Sequence, residues 1–462
     1  MNILKPNILF LVIDSLRADK IYDKSTTKIP NIDLMKKNGV YFSNAITTNQ
    51  YTSQVMQSIF SNRFLFDDSI TKNYSKNISS ENSFLSILND NGYHTYTLNQ
   101  EDVFLQGFNE KFNDNDSFKS EENIYNGLET KILKKIPTLK ESWLYYIHLQ
   151  DLHTPCVVPD ELGHLTLVER YDYNLSRIDS LLEKILKLID IDNTLVIFTA
   201  DHGEYLSSVD GPLKEIKGVK TNVKKLVKNF IPNKMREEVH LKKQSLNREI
   251  HASKVNLDHE KRMLSYKRQF LNQTLFDDII RVPLIFYGHG IESSKPISQQ
   301  ICNIDIFPSI FDIIQIPNSI KNGHGKSLIP LIQNPDFESN PIYLTSMAII
   351  PQLKMNINID KNSGMPLIGI RNNKFKYFRN YENSDIDVHL YDLVKDPLED
   401  VNIANDSKEI LKNMELILQK LKYSSQSFES NNFSNNDEID DDEIDDDEIE
   451  RAKESLKKLG YI

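Results

Sequence analysis

From Ile8 to Ile13 every side chain is apolar, and Asp14 follows without a break in the run NILFLVID. A short, continuous, β-branched run of this kind reads as a strand buried on both faces, the kind found inside a parallel sheet. A carboxylate is costly inside such a strand, so Asp14 belongs where the chain leaves the sheet, and something polar is wanted there. The same design recurs in YHTYTLNQ, SWLYYIHLQD, NTLVIFTADHG and VPLIFYGHG, each an apolar run that ends on polar residues. Between these runs, NSFLSILNDNG and YDYNLSRIDSLLEKILKLID carry apolar residues at helical spacing. The alternation predicts an α/β fold with a mostly parallel, doubly wound central sheet and helices on both faces. Ligands in such sheets gather at the carboxyl ends of the strands, where these polar residues fall.

A chain of 462 residues with 39% hydrophobic content can bury one large core and a smaller one. The expected layout is a main α/β domain over 1–339 and a small α+β subdomain over 340–423. The stretch PLIGIRNNKFKYFRNYENSDIDVHLYDL reads there as antiparallel strands joined by polar turns. Within the main domain, residues 211–270 carry 16 Lys and Arg against 6 Asp and Glu and read as an inserted basic helical excursion. Residues 424–450 are Asn- and Ser-rich and then acidic, which predicts a disordered linker, and 451–462 read as a short terminal helix.

The formal net charge is -11, most of it in the acidic run NDEIDDDEIDDDEIE, so the folded body is close to neutral. That gives no electrostatic reason to expect nucleic acid or an acidic membrane as a partner. No segment approaches the roughly 20 apolar residues of a membrane span. The two cysteines, Cys156 and Cys302, form neither a disulfide framework nor a CxxC zinc motif. With Lys5 the only basic residue ahead of a short apolar run, no signal sequence is read, and the expected location is cytoplasmic.

The chemistry is carried by three stretches. In TADHGEYL, Asp201 and His202 leave a central strand side by side. Alone, Asp201 reads equally well as a strand-end acid with a capping partner. Together with Asp14 on a second strand, the two carboxylates and the imidazole favour a divalent cation. In YTSQVMQSIFSNR, Thr52 precedes Val55, Met56, Ile59 and Phe60 at helical spacing, so it stands where an N-cap would. The same position at a helix N-terminus, with a cation near, also favours an alkoxide, so Thr52 is a candidate nucleophile. In IHLQDLHTP, His148 lies inside the strand pattern and reads as a satisfied core residue. His153 follows the strand and is placed to meet a substrate and protonate a leaving oxygen.

These pieces, with LFDDIIRVPLIFYGHGI, NIDIFPSIFDIIQIP, LYDLVKDPLEDVNIA and LGYI after them in order, resemble the sulfatase family of the alkaline phosphatase superfamily. The resemblance implies an α/β/α sandwich around a mostly parallel central sheet with a smaller C-terminal antiparallel sheet domain. It implies one divalent ion (Mn, Ca, Mg or Zn) held at the positions matched by Asp14, Asp201, His202 and Thr52. It also implies Thr52 as nucleophile, with His153, Arg17 and Arg63 placed in motifs that contact the substrate. The implied activity is metal-dependent hydrolysis of a sulfate or phosphate ester on a small molecule or glycan. The Asp-His pair points towards the phosphonate, phosphodiester and glycerol-phosphate branches.

The departures from the family pattern carry information too. Formylglycine needs Cys or Ser in a C/S-x-P-S-R context, and this chain has TSQVM. Relatives carry paired acids where this chain has Asp14 followed by Ser15, and a Gly-His-Gly context where it has QFLNQ; His251 or His259 could replace that histidine. Two other functions fit the same sequence. One is transfer of a phosphoglycerol or phosphoethanolamine group to a glycan. The other is an inactive binding module whose basic insertion grips an anionic polymer. Substrate, metal and oligomeric state are left open by the sequence.

Overall fold

A computed structural model of the chain describes residues 5–21, 27–65, 83–100, 108–119, 121–140, 142–206, 275–293, 296–320, 323–334, 339–346 and 366–430. The basic segment 211–270, with His251 and His259, and the terminal helix expected over 451–462 lie outside the described residues.

Eight strands form the main sheet: β1 Asn7–Ile13, β2 Val40–Ile46, β3 His94–Gln100, β4 Asp114–Phe118, β5 Trp143–Leu149, β6 Thr194–Thr199, β7 Arg281–Gly288 and β8 Ile301–Cys302. Their order is β4-β3-β5-β1-β6-β7-β2-β8. All run the same way except β7, which is antiparallel to β6 and to β2. The sheet is therefore mostly parallel, as expected. β1 lies between β5 and β6, and every residue of these three strands is buried, so a polar group along them is costly wherever it lacks a partner.

Helices α1 Pro30–Asn38, α2 Thr52–Ser61, α3 Phe84–Asp90, α4 Leu128–Lys135, α5 Leu167–Leu186, α6 Asp277–Ile280, α7 Ile306–Ile313 and α8 Ile329–Gln333 accompany the sheet. Their boundaries follow from local chemistry. α5 opens with a capping box, in which Thr166 accepts from Glu169 N and the Glu169 carboxylate accepts from Thr166 N. α2 buries Val55, Met56, Ile59 and Phe60, and Phe60 packs against Phe10 of β1 and Tyr146 of β5. That packing fixes the N-terminus of α2 over the carboxyl ends of the central strands.

The second sheet has the order β12-β11-β10-β9, with β9 Ile342–Thr345, β10 Leu367–Arg371, β11 Phe375–Asn380 and β12 His389–Asp392, all antiparallel. Helix α9, Lys408–Ser430, covers it through Met414 and Leu418. This helix runs past Ser424, where a linker was expected, so the expected linker begins within helical backbone; its remainder, 431–450, lies outside the described residues. A buried ionic cluster ties the sheets together. Arg371 of β10 holds Asp277 of α6 with two bonds of 3.1 and 2.8 Å, and Lys376 of β11 reaches Asp277 and, at 2.7 Å, Glu399.

Candidate active site

β1 and β6 are paired in parallel with Val12 opposite Thr199, so Asp14 and Asp201 leave the sheet next to each other. Ser15 makes the turn that brings them together. Its φ of 63° is in the left-handed region, uncommon for a residue with a Cβ, and it points Ser15 N at Asp201 Oδ1 at 3.1 Å. Asp201 Oδ1 also accepts from His202 N at 2.8 Å. The other oxygen, Asp201 Oδ2, is buried without a hydrogen-bond partner and lies 3.4 Å from His202 Nε2. Asp14 Oδ1 accepts the Ser15 hydroxyl at 2.9 Å and lies 3.8 Å from His202 Nε2.

His202 is oriented from behind. Its Nδ1 donates to Gly203 O at 2.8 Å, which assigns the bare Nε2 of the neutral ring to the site. Gly203 itself is needed for a close approach, since a Cβ there would meet the Asp278 carbonyl oxygen at 2.4 Å. Thr52 Oγ1 lies 3.2 Å from His202 Nε2. Thr52 is the first residue of α2, Tyr51 occupies the N-cap position, and no side chain caps this helix. The capping role considered for Thr52 is therefore not the one it plays.

Burial alone would lower the His202 pKa, but the carboxylates of Asp201 and Asp14 outweigh it and raise it. The same balance acts on half-buried His153, where Asp14 and Glu204 overcome burial and raise the imidazole above its ordinary value. His153 Nδ1 donates to Thr154 O at 2.9 Å, and Glu204 accepts from Thr154 N at 3.0 Å. Glu204, three residues after Asp201, thus steadies the turn that carries His153.

A divalent cation fits these residues. Asp14, Asp201 and His202 each offer a donor atom within 4.8 Å of the others, all three are buried, and the orphaned Asp201 Oδ2 is a carboxylate oxygen that burial leaves otherwise uncompensated.

Neither of the two arginines expected to contact substrate belongs to the cluster of Asp14, Asp201 and His202. Arg17 is 2% exposed, and its guanidinium is bound to Asp19 at 2.9 Å, to Asp278 at 3.4 Å and to Glu204 O at 3.0 Å. These partners outweigh the effect of burial and raise its pKa, so Arg17 braces the strand ends from within the fold. Arg63 follows the C-terminus of α2, the end opposite Thr52, roughly 15 Å away along a helix of this length. It is exposed, close enough to His324 for its charge to act on that ring.

His148, read as a satisfied core residue, is fully buried, but only one of its nitrogens is satisfied. Nδ1 is 2.7 Å from the Tyr146 hydroxyl, while Nε2 has no hydrogen-bond partner and points between Asp14 Oδ2, at 3.8 Å, and Asp201 Oδ2, at 3.9 Å. The strand pattern could place His148 on β5, but only the order of strands reveals that β5 flanks the acid-bearing end of β1.

Residues 6–316 match the family described as Sulfatase, and residues 266–424 match the C-terminal region of N-sulphoglucosamine sulphohydrolase. Arylsulfatase K of Gallus gallus is 25% identical over 154 residues, which are 33% of this chain and 28% of that protein. The match thus spans less than a third of that relative's length. Among solved structures, the phosphonate monoester hydrolase of Agrobacterium radiobacter superposes with a TM-score of 0.62 at 14% identity, covering 91% of this chain and 96% of that one. A protein solved in complex with its substrate D-glucosamine-2-N,6-O-disulfate superposes with a TM-score of 0.60 at 16% identity, covering 91% and 98%. At these identities the superpositions show a shared fold.

Proposed function

Because this chain belongs to the sulfatase family, we propose that it hydrolyses a sulfate or phosphate ester with Thr52 as nucleophile, at a site where Asp14, Asp201 and His202 hold one divalent ion. The observation that carries the proposal is the position of Thr52 Oγ1. It lies at the N-terminus of a ten-residue helix, 3.2 Å from His202 Nε2, over two buried carboxylates.

A cation bound there would lower the pKa of the Thr52 hydroxyl and offset charge on the non-bridging oxygens of the substrate. The chain's own groups do the rest. Thr52 Oγ1, its proton released to water, attacks the phosphorus or sulfur in line, the bond to the ester oxygen breaks, and His153 gives a proton to the departing alcohol. The N-terminal dipole of α2 favours negative charge at the reacting centre. Water then displaces Thr52 Oγ1, which regains a proton. Threonine has no second hydroxyl on the attacking carbon and cannot leave by elimination, so this second step is direct displacement. That favours phosphorus over sulfur.

The neighbour solved with a sulfated glucosamine supports a sulfated or phosphorylated glycan unit as the substrate class. Cys156 and Cys302 are both free and buried, in keeping with the cytoplasmic setting proposed. No helix among the described residues is long and apolar enough to cross a membrane.

The test is turnover of matched aryl sulfate, phosphate monoester and phosphodiester by protein stripped of metal and resupplied with single divalent ions, with Thr52→Ala beside it. Metal-dependent turnover lost in the variant supports the proposal. Turnover that persists in Thr52→Ala overturns the nucleophile assignment.

A further inference from the structure

We propose that Tyr171 is a positioning residue for the metal centre, its hydroxyl holding the turn at Ser15 that aims Asp201. The inference rests on the reading of Asp14, Asp201 and His202 as a metal site, to which it adds no ligand. Tyr171 belongs to the second turn of α5 and is wholly buried. Its hydroxyl donates to Ser15 O at 2.7 Å and accepts from Arg17 N at 2.9 Å. A single oxygen of α5 therefore clamps two backbone groups on either side of Leu16, where the chain leaves β1. The backbone between them is strained. Ser15 has a φ of 63°, a conformation that is unfavourable for a residue with a Cβ and that persists only where the surroundings hold it.

The other backbone group of Ser15 shows what the turn is for. Ser15 N donates to Asp201 Oδ1 at 3.1 Å, and His202 N donates to the same oxygen at 2.8 Å. With Oδ1 engaged twice, Oδ2 is left bare, 3.4 Å from His202 Nε2. Tyr171 thus fixes the carbonyl of the residue whose N–H orients the Asp201 carboxylate. The backbone of Asp14 is held separately, by the bond from Asp14 N to Leu149 O at 2.8 Å. Loss of the Tyr171 hydroxyl should therefore loosen Asp201 first. Tyr93 supplies the contrast. It is 4% exposed, and its hydroxyl donates to Pro6 O at 2.8 Å, just ahead of β1. Both hydroxyls pin a carbonyl flanking β1, at opposite ends, and only the one from Tyr171 is at the end that carries the site.

The experiment uses the full chain, stripped with a chelator and titrated with Zn²⁺ against a chromophoric competitor, with urea denaturation of each metal-free variant alongside. Tyr171→Phe keeps the ring and removes both bonds. It is expected to weaken Zn²⁺ binding by about tenfold or more, as when a group that orients a metal ligand is removed. Tyr93→Phe loses a bond of the same kind and should lower the urea midpoint too, yet stay within about twofold of wild type in Zn²⁺ affinity. The turn can also be reached without touching Tyr171. Ser15→Gly and Ser15→Val both lose the Ser15 hydroxyl, but glycine accepts a φ of 63° and valine resists it, so Ser15→Val should bind Zn²⁺ about tenfold more weakly than Ser15→Gly. That pair decides the matter if Tyr171→Phe does not fold. Asp201→Asn tests the centre itself. If Asp201→Asn loses the ion while Tyr171→Phe binds it like the wild type, the positioning role is overturned and the metal centre stands. The role is likewise overturned if Tyr93→Phe weakens binding as much as Tyr171→Phe, or if Ser15→Val binds as tightly as Ser15→Gly. If Asp201→Asn keeps the ion, the metal centre is wrong and both readings fall.

Discussion

Thr52 Oγ1 and His202 Nε2 lie 3.2 Å apart, although 150 positions separate them in the chain. Each is placed by a different part of the fold: Thr52 by the packing of α2 on Phe10 and Tyr146, His202 by the exit of β6. Thr52 caps nothing and is only half-buried. Its hydroxyl can therefore be altered with little effect on the core, which makes it a clean handle on the chemistry.

Thr52→Ala is expected to lower kcat by at least about 10³-fold, while Thr52→Ser stays within about tenfold of wild type. The unfolding free energy of both variants should match the wild type to within about 0.5 kcal/mol. Steady-state kinetics beside urea denaturation curves check this, and a Thr52→Ala protein that keeps its turnover refutes the assignment.

His153 should matter in proportion to how badly the leaving group needs a proton. His153→Gln is expected to cost about 10²–10⁴ in kcat for an alkyl ester and far less for a nitrophenyl ester, whose alcohol leaves as an anion. The carboxylates of Asp14 and Glu204 raise the His153 pKa against the opposing effect of burial. The alkaline limb of the pH–rate profile should therefore lie above the ordinary histidine value, and Glu204→Gln should move it down. A profile unmoved by Glu204→Gln would rule out His153 as its source.

Lys376 has no exposed side-chain surface, and it serves Asp277, Glu399 at 2.7 Å and Leu275 O at 2.9 Å. Arg371 and Lys376 outweigh burial and hold the Asp277 carboxyl far below its usual range. Lys376→Met leaves a buried charge uncompensated and should cost about 3–5 kcal/mol of unfolding free energy by urea titration. The Asp277 contribution is complete above an unfolded carboxyl pKa of about 4 and is lost as pH falls below it. In Asp277→Asn that part of the acid sensitivity should disappear.

His324 accepts from Phe64 N at 3.2 Å and lies tilted against the Phe64 ring, with centroids 5.2 Å apart. Burial, with Arg63 adding repulsion, lowers its pKa to about 4. The unfolded chain therefore takes up a proton near pH 6.5 that the folded chain refuses until about pH 4, so stability should fall as pH drops through that window. Discounted for partial exposure, the loss is roughly 2 kcal/mol. His324→Phe should flatten the stability profile between those limits; an unchanged slope would assign it to other groups.

Much of this fold can be read from the chain because strands buried on both faces leave an unmixed signature. β1, β5 and β6 are continuous apolar runs, and Asp14, Asp201 and His202 mark the ends of two of them. β4 hides itself for the opposite reason. Asp114–Phe118 is a polar strand at the sheet edge, paired only with β3, and little of it need be apolar. The reversed direction of β7 leaves no trace in composition, because an apolar run reads alike both ways. Thr52 could be placed at a helix start, but its lack of a capping bond is a tertiary fact. Arg17 and Arg63 lie close in sequence to site residues, and the fold sends one into an ion-pair network and the other to the far end of a helix. His148 is legible as buried but not as aimed, since its neighbours are set by strand order.

The bond from Gly203 N to Ile279 O, 2.6 Å long, joins the chain just before it leaves the described fold at Leu206 to the chain just after it returns at Leu275. Whatever the intervening residues do, the ends of that segment are already closed by the sheet and by α6, so its length adds little to the cost of folding. The segment also departs from beside His202. The spacing of Asp14, Asp201 and His202 is thus held by bonds within the described fold and does not depend on what is inserted between Leu206 and Leu275.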